Sequence, residues 1–174
     1  MDKFHLIILV VIGLLIFRQF IPKEVNRFDF IGLPILALYK TYTSLPNTLS
    51  APIMVELIIL LLLGATIGYI QARKTRVVYQ DNKLHTIGGI SYIIGLLILI
   101  IGRLIVIFIF HSSTIITALK NGGESLVVEL ANILTGSGDW ILWSTIAAST
   151  ILYSITLYKN HPKIRKYIRE QLKS

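Results

Sequence analysis

Two stretches of the chain, residues 6–17 and 87–101, contain no charged side chain at all. A hydrocarbon layer about 30 Å thick asks for about 20 mostly apolar residues in helical form. Five segments meet or approach that pattern, at residues 4–20, 28–45, 53–71, 87–110 and 140–158. The second is the weakest, interrupted by Pro34 and Lys40. The expected fold is all-α, a polytopic transmembrane helical bundle of five spans. Residues 112–138, between the fourth and fifth spans, are less decisive. Within them Leu126, Val127, Leu130, Ile133 and Leu134 share one helical face, while Glu124, Glu129 and Asn132 fall elsewhere. That pattern predicts a short amphipathic helix over about 123–135. It is free to lie on the outer leaflet, to fold over the bundle as a cap, or to be a plain loop helix.

The polar gaps orient the bundle. Arg18, Lys23 and Arg27 fall in the first connection, and Arg73, Lys74, Arg76 and Lys83 in the third. The tail, residues 159–174, adds Lys159, Lys163, Arg165, Lys166, Arg169 and Lys173. With five spans these three segments lie on one side, leaving only Lys3, Lys40 and Lys120 on the other. Lys and Arg collect on the cytoplasmic side, so the N-terminus is expected outside and the C-terminus inside a bacterial cytoplasmic (inner) membrane. A sixth span would put the basic tail outside, against that rule. Trp140 and Trp143 open the fifth span and Tyr153 and Tyr158 close it, as rings that prefer headgroup depth do. Asp139 is placed to cap its N-terminus.

Composition narrows this picture without changing it. Of the 174 residues 54% are hydrophobic and 15% charged. The net charge of +8 would suit nucleic acid, but its confinement to inter-span gaps assigns it to the bilayer, and no nucleic-acid partner is expected. There is no cysteine, which removes disulfides and thiolate chemistry. The first span follows Asp2, Lys3 and His5 and ends in Phe17, Arg18, Gln19 and Phe20. It lacks the small residues of a signal-peptidase site and reads as a retained helix.

Candidate chemistry is sparse. Glu56 and Arg103 each sit about 15 residues from the cytoplasmic end of their spans, a depth of roughly 23 Å. Charges in a membrane usually face the interior and pair, so a Glu56–Arg103 ion pair is expected, either as a clamp between neighbouring helices or as a polar site for substrate or protons. Gly64 and Gly68 form a GxxxG pair in the third span, and Gly88, Gly95 and Gly102 recur every seven residues in the fourth. Small residues let helix backbones approach, so both stripes read as packing seams, within one chain or between two copies. Lys40, beside Tyr39 and Tyr42, is placed to snorkel outward. The four histidines show no metal-ligand spacing, although His111, Glu129 and Asp139 share the outer side. No motif calls for a cofactor or a catalytic nucleophile. In the tail, Ile164, Tyr167, Ile168 and Leu172 alternate with Lys163, Arg165, Lys166 and Arg169. This is a basic amphipathic helix suited to lie on anionic lipid or, alternatively, to bind a cytoplasmic partner.

Residues 64–77 (GATIGYIQARKTRV), followed by Gly88, Gly89 and Arg103, resemble the CcdC-like family of small bacterial membrane proteins. The likeness covers residues 56–110. It implies an integral membrane protein associated with cytochrome c biogenesis and without an established catalytic activity. Packing seams joined to an absence of catalytic motifs point to an accessory or scaffold protein, assembling with itself or with a larger membrane complex. The alternative is a small transporter or channel working through Glu56 and Arg103. An immunity role suits the size but rests on no residue, and an enzyme comes last.

Overall fold

A computed structural model describes residues 21–80, 83–120 and 139–173. The expected first span and the amphipathic segment at 123–135 lie outside these residues. The chain is mostly helical. A short strand β1 (Lys23–Glu24) leads through a π-helical turn, Phe28–Gly32, into helix α1 (Leu33–Ser44). Helix α2 (Ala51–Lys74) is followed by strands β2 (Arg76–Gln80) and β3 (Lys83–Ile87). Then come α3 (Gly89–Phe110), α4 (Ser112–Lys120), α5 (Asp139–Asn160) and α6 (Pro162–Lys173).

Among the described residues three helices, α2, α3 and α5, are long and apolar enough to cross a membrane. Helix α2 starts where Pro52 suits the first turn, its missing N–H being one of those left unpaired at a helix start anyway. It stops where Arg73 and Lys74 favour the negative end of the helix dipole. The second expected span corresponds to the π-turn and α1 together. Pro34 sits in the first turn of α1, where a proline breaks no helical hydrogen bond.

Helix α5 is the hub. It packs against α2 and α1, and α3 packs against α2 while its Tyr92 and Arg103 also reach α5. In α5 the buried residues are mostly small or hydroxylic: Ser144, Thr145, Ala147, Ala148, Ser149 and Ser154. Such residues let a neighbouring backbone come close. At one end of the bundle, here the far end, Leu60, Val106, Ile107, Ile115, Trp140 and Ile141 form a buried apolar cluster.

The other end carries the main departure from an all-α reading. The connection after α2, expected as a polar loop, is a β-hairpin. With β1 it makes a three-stranded antiparallel sheet of order β1-β3-β2. Val77 stands opposite Thr86 and Tyr79 opposite Leu84 in the β2–β3 register, and Lys23 stands opposite Thr86 in the β1–β3 pair. Val77, Val78 and Tyr79 are consecutive β-formers, flanked by Arg76 and Gln80 at the ends. The segment is short and charged at its edges, which is why it reads as a loop by hydropathy alone.

The sheet has a partner. Leu84 of β3 and Val25 lie in one buried cluster with Ala72, Leu157, Ile164 and Ile168. Ile164 and Ile168 belong to α6, so the apolar face of the C-terminal helix is covered by its own chain. The expectation that α6 lays this face on lipid is corrected: fully burying two isoleucines stabilises the docked helix by roughly 3–6 kcal/mol.

Candidate functional site

Among the buried polar groups of the long helices are Glu56 and Gln71 of α2, Arg103 of α3 and Thr145 of α5. Glu56 and Arg103 do not pair. Glu56 Oε1 lies 3.3 Å from His111 Nε2, at the C-cap of α3. Arg103 turns to α5, where its Nη2 donates to Thr145 Oγ1 and reaches the Leu142 carbonyl at 3.5 Å. Helix geometry explains the correction. Helix α2 runs to Lys74 and α3 starts only at Gly89, so Glu56 is 18 positions and Arg103 14 positions from the sheet end. At 1.5 Å per residue their depths differ by about 6 Å. Arg103 meets instead the side chain facing it across the bundle.

The Glu56–His111 contact is close enough for an ion pair, but neither atom makes a hydrogen bond of good direction among the described residues. The carboxylate is 3% exposed and the imidazole 34%, so the pair is a buried acid touching a histidine open to the surroundings. Among the described residues no third acid or histidine joins it as a metal site. Asp139 instead accepts the Trp143 indole N–H at 3.1 Å, and Glu129 lies outside the described residues.

The glycine stripes separate as well. A Cβ at Gly64 would lie 3.1 Å from Thr145 Cα, and one at Gly68 would lie 2.8 Å from the Ser149 carbonyl carbon. The GxxxG pair of α2 thus meets the backbone of α5. Gly95 and Gly102 face Gln71 and Leu63 of α2, which is a real seam. Gly88 is not part of it: its neighbour is Tyr92 of its own helix, and it sits at the N-cap of α3.

Towards the sheet end a second set of polar groups converges. Gln71 Nε2 donates to the Tyr92 carbonyl at 3.1 Å. Tyr153 Oη and Thr75 Oγ1 share a hydrogen bond of 3.2 Å. The Tyr92 and Tyr153 rings meet edge to face, 6.1 Å between centroids, an arrangement aromatic quadrupoles favour. Gln71, Tyr92 and Tyr153 border a cavity of about 620 Å³ that also touches β1, the π-turn and the middle of α5. Lys23–Asp29 and Glu24–Lys83, each at 3.0 Å, are ion pairs at the same end. Sequence reading set His111 beside Glu129 and Asp139 rather than Glu56, and passed over Thr145, Gln71 and this cavity. Gln71 was the available signal, since an amide one turn inside a long apolar helix calls for a partner.

The basic residues of α6 divide by exposure. Lys163, Lys166 and Arg169 are exposed. Arg165 lies half-buried, its guanidinium 5.4 Å from the Tyr158 ring centroid. Lys40, Tyr39 and Tyr42 are all exposed on α1. Compared with known proteins, the chain matches no family model, no curated protein and no solved structure.

Proposed function

We propose that the protein is a non-catalytic accessory or scaffold protein of a bacterial cytoplasmic membrane. It crosses the bilayer five times, with the sheet and α6 in the cytoplasm and the N-terminus outside. The observation that carries this reading is the use made of its intramembrane polar groups. Arg103 ties α3 to α5, Gln71 ties α2 to α3, and Thr75 ties the end of α2 to Tyr153 of α5. Polar groups spent on holding helices together make a rigid frame. On the cytoplasmic side the frame presents a folded sheet and the exposed Lys163, Lys166 and Arg169 as a basic platform. Its partners are the bilayer and a larger membrane complex or a second copy. The resemblance to CcdC-like proteins would place such a complex in cytochrome c biogenesis.

Native mass spectrometry after extraction in a gentle detergent tests the reading. A defined hetero- or homo-oligomer is expected, and a lone monomer that supports solute flux in proteoliposomes would overturn it. A transport role draws on one observation, the buried Glu56 carboxylate against the half-open His111. It requires a flux that disappears in Glu56→Gln.

A further inference from the structure

The cavity at the sheet end has two chemically different zones. Its deep wall is polar: Gln71 is 4% exposed, and Ser149 and Ser154 are each 8% exposed. Neighbouring hydroxyls on α5 are returned to their own helix, Ser144 and Thr145 to the Ile141 carbonyl and Thr150 to that of Ile146. Ser149 and Ser154 make no such bond among the described residues, and the Gln71 amide oxygen likewise accepts none there. None of the three is among the sealed, unpartnered side-chain atoms of the described residues, so they open onto the cavity. This wall is built to take hydrogen bonds from, and give them to, something in the cavity.

The rim is ionic. Lys23, Glu24 and Asp29 border the cavity, one cation and two carboxylates, with Lys83 held outside the lining by Glu24. Asp29 is 37% exposed on its side chain and holds Lys23 at 3.0 Å, so an ion pair stands at the mouth, open to exchange with a ligand that carries both charges. Between rim and wall, Ile21, Phe30 and Leu33 supply apolar surface. A pocket in the range of about 300–1,000 Å³ holds a ligand of small-molecule size, and this one is several times larger than a phosphate. An ammonium suits the two carboxylates, and an anionic oxygen group suits Lys23 and the serine hydroxyls. The apolar strip suits a few methylenes between or beyond them.

We infer that this cavity is a binding site for a zwitterionic phosphate–ammonium group, the chemistry of an ethanolamine phospholipid headgroup or of free phosphoethanolamine. The inference stands apart from the accessory role and survives its failure. The zwitterion exchanges into the Lys23–Asp29 pair, its ammonium on Asp29 beside Glu24 and its phosphate on Lys23, and Ser149, Ser154 and Gln71 take the remaining oxygens and N–H groups.

The chain has no cysteine, so Ser154→Cys gives a single, nearly isosteric reporter in the wall. The full-length variant is placed in nanodiscs of phosphatidylcholine, of phosphatidylglycerol, or of either with phosphatidylethanolamine. Thiol labelling by a small methanethiosulfonate reagent is followed in each, with and without free phosphoethanolamine. Phosphatidylethanolamine is expected to slow labelling about tenfold over phosphatidylcholine, whose ammonium has no N–H to give. Protection by the lipid alone assigns the membrane as the source, and protection by the free compound assigns a soluble ligand. Asp29→Asn, a half-exposed change, is expected to abolish the protection while thermal stability holds. Equal labelling under all conditions, or protection undiminished in Asp29→Asn, overturns the inference. Should Ser154→Cys not fold, lipid retained through purification of the unmodified protein is measured by native mass spectrometry. An ethanolamine lipid held no more tightly than the other two then overturns it.

Discussion

Replacing Gly68 by alanine adds one methyl where α2 meets α5, and its cost follows from what that methyl would touch. The new carbon would lie 2.8 Å from the Ser149 carbonyl carbon and 2.9 Å from its Cα. Carbon atoms rest at about 3.5–4.0 Å, so the two helices must part by roughly 0.7–1 Å. The obstacle is backbone and cannot rotate away. Parting the helices also loosens the Gly64–Thr145 approach one turn along, together with the contacts beside it. Overpacking a close-fitted site costs typically about 1–3 kcal/mol, and a backbone obstacle puts Gly68→Ala at or above the top of that range. Gly102→Ala is the control. Its methyl would lie 2.9 Å from the Cδ atoms of Leu63, the far end of a flexible side chain, and the cost there is about 1 kcal/mol or less. Reversible unfolding in mixed detergent micelles, followed by Trp140 and Trp143 fluorescence, gives both numbers. A Gly68→Ala variant as stable as the parent, or a Gly102→Ala variant the worse of the two, would refute the assignment of the GxxxG pair to α5.

Other perturbations test the remaining contacts. Thr145→Val removes the acceptor of a buried guanidinium and is expected to cost about 1.5–3 kcal/mol; Arg103→Met combined with it should cost less than the sum of the two single changes. Additive losses in the same unfolding assay would mean that the two side chains do not meet. Ile168→Ala removes a buried side chain holding α6 to the sheet, at a cost of about 2–5 kcal/mol. Trypsin should then cut at Lys163 to Arg169 at least about tenfold faster, in detergent and in vesicles alike; cleavage that responds only to added anionic lipid would restore the lipid-lying tail. The hydrogen bond and charge of Glu24 hold the Lys83 ammonium above its ordinary value of 10.5. A raised value in the folded state means the pair's small contribution is present near neutral pH and lost only as pH rises past the lysine range. The stability gap between the parent and Lys83→Gln should therefore be flat around neutrality and close in strong alkali, and a gap that grows with pH would contradict the pair.

Hydropathy made the three long helices legible, because length and the absence of charge are all that a membrane crossing demands. Partner choice was much less visible. Glu56 and Arg103 were matched by depth, yet depth depends on where each helix ends, and a shift of two or three residues at Lys74 and Gly89 undid the match. The register of Gly64 and Gly68 announced a seam but not its mate, since a GxxxG face accepts any smooth helix. Consecutive position favoured α3, whereas the small and hydroxylic face of α5 offered the closer fit. The sheet was hidden for a different reason. Its strands are short, and Leu84 and Val77 pack into the cluster with α6, a burial that exists only once the chain has folded.

The least hydropathic of the described long helices is the most buried, and the reason bears on where function can reside. Helix α3 has the highest mean hydropathy, 3.1, with 28% of that window buried, while α5 has 1.4 with 50% buried. Lipid tails are as apolar as leucine, so no hydrophobic force draws one span to another. A helix reaches the centre by being small and by having hydroxyls to share; it stays at the edge by being wholly apolar. Helix α5 meets both conditions for the centre, touching α1 and α2 along its length and taking the Arg103 guanidinium from α3. The long helix of lowest hydropathy is thus the one that α1, α2 and α3 all touch. Its two unshared serines border the cavity, so packing frame and candidate binding wall are faces of a single helix, and a ligand held there would bear directly on how the spans sit together.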